Sequence, residues 1–130
     1  RFIGLATDTP WAQGNLLLGF SFVPNQSGTW VVGKWGENKA PFHINSDGWN
    51  ADRDYSAQRD LGKNRIAVIG DSYVEALNVR PAVAMAAVLE KDLLKSGRKI
   101  EVYPFSLSCN DALCAEPICS RSFRYQYCPQ

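Results

Sequence analysis

Arg65-Ile66-Ala67-Val68-Ile69-Gly70-Asp71-Ser72-Tyr73 decides how the rest of the chain is read. Ile66 to Ile69 is a short, β-branched, apolar run, which suits a strand buried in a parallel sheet better than a half-exposed one. Gly70 and Asp71 end the run, and Ser72 stands where a strand gives way to a helical segment. A strand fixes its own end in space, and a small residue lets the chain turn sharply there. Backbone N–H groups at a helix start can then stabilise negative charge beside a hydroxyl. Ser72 is therefore a candidate nucleophile. The competing reading is a serine that merely caps a helix.

Downstream, Pro81 suits a first helical turn, and Ala82, Met85, Ala86, Leu89 and Leu93 recur at helical spacing, which predicts a core-facing stripe. Glu90, Lys91, Asp92 and Lys95 lie mostly off that stripe, and Gly97 is placed to end the helix. Lys99 to Phe105 reads as a second strand. Strand, helix and strand within about 40 residues make a parallel crossover unit. Ligands of such sheets bind at the carboxyl ends of the strands, where Ser72 and the Ser106–Asn110 segment fall.

Upstream, Leu16–Val23, Thr29–Val32 and Pro41–Asn45 are short strand-like runs between turn signals such as Pro24-Asn25, Ser27-Gly28 and Ser46-Asp47-Gly48. Arg53 to Lys63 is polar and mixed in charge, as a linker or exposed loop would be. The three zones are a β-rich extension with its linker (1–60), the β-α-β unit (61–108) and an irregular tail (109–130).

Composition narrows the function classes. The 130 residues carry a formal net charge of +1 and no dense Lys/Arg run, so nothing points to a nucleic-acid partner. No apolar stretch is long enough to span a bilayer, and the chain begins with Arg1, which is compatible with a leader or anchor upstream. The four cysteines, Cys109, Cys114, Cys119 and Cys128, all fall in the tail. Their spacing lacks a C-x-x-C pair, which weakens a zinc reading, while disulfides would need an oxidising compartment.

Several motif readings of Gly70-Asp71-Ser72 fail. The three-glycine dinucleotide fingerprint and the Gly-Lys-Ser/Thr phosphate loop are missing, and Val74 stands where the α/β-hydrolase elbow has its second glycine. Asp71 lacks the neighbouring acidic cluster of a phospho-acceptor aspartate. What remains resembles a known family. Ile69-Gly70-Asp71-Ser72-Tyr73 after an apolar strand is similar to the first sequence block of the SGNH (GDSL-type) serine hydrolases. Phe42-His43-Ile44-Asn45-Ser46-Asp47-Gly48-Trp49-Asn50, followed by Arg53-Asp54-Tyr55, looks like the lead-in of many bacterial members, where a small β-rich extension precedes the hydrolase domain.

The resemblance covers residues 1–108 and implies an α/β fold. The implied fold is a three-layer α/β/α domain with a parallel sheet, of which the chain would hold the opening part. It also implies a serine esterase or acyltransferase. Ser72 would be its nucleophile and an oxyanion donor through its backbone N–H, with Gly70 and Asp71 shaping the turn. Cys109 falls where the family has a glycine that gives a second backbone donor; cysteine adopts positive φ only at a cost. Asn110-Asp111 resembles part of a later Gly-x-Asn-Asp block but comes too early. The last block, Asp-x-x-His, is not in the sequence, so the base and its carboxylate partner are expected from outside it. The resemblance implies no metal and no organic cofactor. It implies a small acyl ester as substrate, carried on a sugar or lipid in some relatives, and a location outside the cytoplasm.

Rival readings remain. His43, the only histidine, could serve as base, although it sits among strand-like residues of the extension. The chain could be a truncated or degenerate, non-catalytic fold. It could also be a carbohydrate-binding module built on Trp11, Trp30, Trp35 and Trp49, although aromatics in short strands usually pack.

Overall fold

Three two-stranded sheets form among the residues that a computed structural model describes, namely 9–15, 19–33, 35–58 and 60–106. β1 (Ala12–Asn15) pairs antiparallel with β2 (Gly19–Phe22), and β3 (Gln26–Val32) with β4 (Asn38–Ile44). β5 (Asn64–Gly70) and β6 (Ile100–Ser106) pair parallel, with Asn64 opposite Ile100 and Gly70 opposite Ser106. Between them lie α1 (Ser72–Glu75), a single 3₁₀ turn at Pro81–Val83, and α2 (Met85–Lys95). The architecture is mixed α/β, with a parallel pair and few helices.

Of the strand expected over Leu16–Val23, the described residues form Gly19–Phe22. Gly19–Phe22 belongs to a hairpin with β1, whose Ala-Gln-Gly-Asn sequence carries no strand signal, and residues 16–18 lie outside the described residues. The cysteines and the tail at 109–130 also lie outside them.

The helix departs from its expected face. Pro81 opens the 3₁₀ turn, and the extended backbone of Ala84 (ψ 155°) separates that turn from α2. Ala86, Glu90 and Leu93 then face the sheet, at i, i+4 and i+7, with Ala86 and Leu93 packed among Ile66, Val68, Ile100 and Val102. Met85 is instead 56% exposed, and Leu89 and Ala82 also face solvent. The reason is polar. The Glu90 carboxylate accepts the Val102 N–H and both terminal nitrogens of Arg53. Bringing that carboxylate to β6 rotates Met85 and Leu89 outward. Gly97 closes the helix with φ +81°, its N–H bonded to the Leu94 carbonyl at 3.0 Å.

β6 is the better covered strand. On its outer edge, Val102 exchanges bonds with Glu90 and Arg53, and the Pro104 carbonyl accepts the Tyr55 hydroxyl at 2.8 Å. Proline has no N–H to leave unpaired, so side chains close this edge without a further strand among the described residues. β5 has β6 as its one strand partner among the described residues. Its centre is consequently half-buried and Ile69 is 37% exposed, where the sequence suggested a fully buried strand.

α2 covers one face of the β5–β6 pair. On the other face, Tyr103, Phe105 and Ala67 meet Trp49, Ala51 and Tyr55 of the segment after β4. Tyr55 stacks on Tyr103 with ring centres 4.3 Å apart, and Trp49 and Tyr55 approach Phe105 edge-on at 5.3 and 5.5 Å. Residues 53–58 and 60–63 are mostly exposed, yet they are fastened. Tyr55 is buried, and the Arg65 guanidinium donates to the carbonyls of Ser56 and Gln58.

Glu101 makes this corner sensitive to acid. Burial pushes its carboxyl upward, but Arg65 Nε at 2.9 Å and Lys63 Nζ at 3.2 Å outweigh that and hold it below the ordinary glutamate range. The unfolded chain therefore takes up the proton more readily than the native one. The stability gained is present above the unfolded pKa and is lost as pH falls through the native value. The urea midpoint should drop as pH is lowered from about 5 to about 3, and less steeply in Glu101→Gln. Among the described residues, no helix is long and apolar enough to cross a membrane.

Candidate functional site around Ser72

Gly70, Asp71 and Ser72 sit where β5 runs into α1, and each has a separate physical job. A Cβ on Gly70 would come within 2.5 Å of Val74 Cγ2, because α1 folds back over the strand end. The sequence suggests that glycine here serves a sharp backbone turn. Instead, Gly70 is not among the residues with positive φ, and close approach of Val74 is what demands it.

Asp71 caps the helix. Its Oδ1 accepts the Tyr73 N–H at 3.0 Å, and its carbonyl accepts the N–H groups of Val74 and Glu75, each at 3.0 Å. The capping role that competes with catalysis for Ser72 is thus filled by its neighbour. Ser72 is exposed, and neither its hydroxyl nor its N–H has a hydrogen-bond partner among the described residues. A hydroxyl and an N–H of one residue, both without a partner among the described residues, therefore lie together at the carboxyl end of a parallel strand. Ser106, at the corresponding end of β6, is buried opposite Gly70. Cys109 and Asn110, the other donor candidates, lie outside the described residues.

α1 ends in Ala76, which holds a left-handed backbone (φ +54°, ψ +37°) and donates its N–H to the Ser72 carbonyl at 3.0 Å. For a residue with a Cβ this conformation costs about 1–2 kcal/mol. Ala76→Gly should raise the unfolding free energy by about 0.5–1 kcal/mol, seen as a higher urea midpoint.

The residues around α1 include several that the sequence reading passed over. Glu75 is buried, at 2% exposure, and its backbone carbonyl accepts Asn50 Nδ2 at 2.8 Å. Asn45, fully buried, accepts the N–H groups of Asp47 and Trp49 and donates to the Arg53 carbonyl, which shapes the 45–53 loop. A side-chain amide can turn a loop in this way, so Asn45 directly before Ser46-Asp47-Gly48 is the available signal.

His43 is not brought to Ser72. Ala40, Phe42 and Ile44 face the core side of β4, which puts His43 on the opposite side, where its Nδ1 lies 2.9 Å from Ser27 Oγ. The four tryptophans separate as well. Trp49 is buried, Trp30 packs against the Phe22–Phe42–Ile44–Leu77 cluster, and Trp11 and Trp35 are exposed. Trp11 contacts Gln26 at the start of β3 and Trp35 follows its end, roughly 20 Å away at strand spacing. They do not form one flat platform.

A cleft of about 190 Å³ opens along the outer edge of β6, away from Ser72, between residues 50–55 and α2. Of its three charged residues, Arg53 and Glu90 are spent on each other and on Val102, Asp52 is the third, and much of the remaining wall is alanine and proline. Compared with protein-family models, with characterised sequences and with solved structures, the chain matches none.

Proposed function

We propose that the full-length protein is an SGNH-type serine hydrolase or acyltransferase acting on acyl esters, with Ser72 as nucleophile. In this reading the β5-α2-β6 unit opens a three-layer α/β/α domain. The observation that supports it is the position of Ser72. The residue is exposed at the carboxyl end of a parallel strand, its hydroxyl and N–H have no hydrogen-bond partner among the described residues, and Asp71 caps the helix.

The chemistry follows from those groups. Ser72 Oγ attacks the acyl carbonyl carbon, forming a C–O bond while its proton passes to an imidazole supplied from outside the described residues. The carbonyl π electrons move onto oxygen, and the Ser72 N–H donates to that oxyanion. Collapse restores the carbonyl and breaks the bond to the leaving alkoxide, which takes the proton from the imidazolium. Water, or an acceptor hydroxyl in a transferase, then releases the acyl group by the same steps. The acyl ester is a small molecule or a decoration on a sugar or lipid.

Turnover of a short-chain nitrophenyl ester by the full-length protein, compared with Ser72→Ala, tests this. Loss of turnover in the variant supports the reading, and equal rates would leave it without support.

A further inference from the structure

α1 is only four residues long, too short to be stable on its own, and it runs into the strained Ala76. Something else must hold the Ser72 segment still. Three contacts from the β-rich extension grip the residues that follow it. Asn50 Nδ2 donates to the Glu75 carbonyl at 2.8 Å, while Asn50 Oδ1 accepts the His43 N–H from β4 at 3.2 Å. Leu77 is buried with Phe22, Phe42 and Ile44. Trp30 Nε1 donates to Asn78 Oδ1 at 2.9 Å.

We infer that Asn50 is a positioning residue for Ser72, and that the β3–β4 hairpin with the turn after it acts as a clamp on α1. The inference rests on the hydrolase reading and deepens it. The Asn50 amide offers a donor to the Glu75 carbonyl and, on its other atom, an acceptor to the His43 N–H, so one side chain ties β4 to α1. Asn50 is 6% exposed, so water does not readily replace either bond. The extension thereby gains a role in catalysis without touching substrate. Misplacing a nucleophile by a fraction of an ångström lowers the chemical rate more than it weakens substrate binding.

The test uses the full-length protein with Asn50→Asp, which keeps the acceptor but sets a carboxylate oxygen against the Glu75 carbonyl. Trp30→Phe is a milder second variant. Ser27→Ala, which alters the far side of the same hairpin, is the control. For Asn50→Asp, kcat should fall about tenfold with KM changed less than about twofold. Amide exchange at Glu75 and Ala76 should speed up roughly tenfold while exchange at Val68 and Phe105 stays as in wild type. Trp30→Phe should shift both in the same direction by about two- to threefold, and it carries the test if Asn50→Asp fails to fold. Unchanged kcat and exchange at α1, or exchange that rises equally in β5 and β6, would overturn the inference. Absence of Ser72-dependent turnover in the wild type would instead sink the hydrolase reading, and the exchange data alone would then decide whether the clamp exists.

Discussion

Ser72→Ala in the full-length protein is expected to lower kcat/KM for a short-chain ester by about four orders of magnitude, or roughly 5 kcal/mol of transition-state stabilisation. The loss is that large because an attacking hydroxyl acts as a unit with its base. His43, the chain's one imidazole, is turned toward Ser27 on the other side of the hairpin. The fold should not notice the change. Ser72 is exposed and makes no side-chain hydrogen bond among the described residues, so its stability effect should stay within about 0.5 kcal/mol. The helix cap survives because Asp71 provides it. A large kinetic effect with an unchanged urea midpoint is the signature of a nucleophile. A capping residue would show the reverse.

Phe105→Ala is expected to have the largest effect on stability, about 3–5 kcal/mol. Phe105 is fully buried, and its ring meets Trp49 and Tyr55 edge-on between β6 and the segment after β4. Removing it opens a cavity whose walls belong to two parts of the chain, so neither can collapse onto the other without shifting the stacked Tyr55–Tyr103 pair. That cost is a large fraction of the 5–15 kcal/mol typical of a folded domain, so the variant should unfold at much lower urea. Phe105→Leu keeps most of the volume and should lose about half as much. A Phe105→Ala midpoint within experimental error of wild type would show that the packing of 49–55 on β6 is not what holds these layers together.

The β-α-β unit was legible because its signals are local. An apolar run, a glycine past the helix and a second apolar run need no tertiary knowledge to interpret. Gly97 is such a case, and its left-handed backbone matches the expectation. The failures share a cause. Met85 and Leu89 fit a helical apolar stripe, but the Glu90 carboxylate is recruited by the Val102 N–H and by Arg53, more than ten residues distant in sequence in either case. A partner that remote leaves no mark on local periodicity. The half-exposure of β5 likewise follows from what pairs with it, which its own residues do not specify. Gly70 was noticed for a plausible reason, and the contact with Val74 supplied a different one. At the site, Ser72, Gly70 and Asp71 could be picked out as a motif. Asn50 and Glu75 could not, because one amide bridging two backbone groups 32 residues apart (His43 to Glu75) has no pattern of its own.

Mass spectrometry of the full-length protein, acid-quenched during turnover of a slowly deacylating ester, reaches the nucleophile without relying on loss of activity. The peptide spanning Val68 to Ala76 should gain the mass of the acyl group, with fragmentation placing it on Ser72. Turnover that proceeds while this peptide keeps its unmodified mass, or an acyl group carried on another residue, would contradict the assignment.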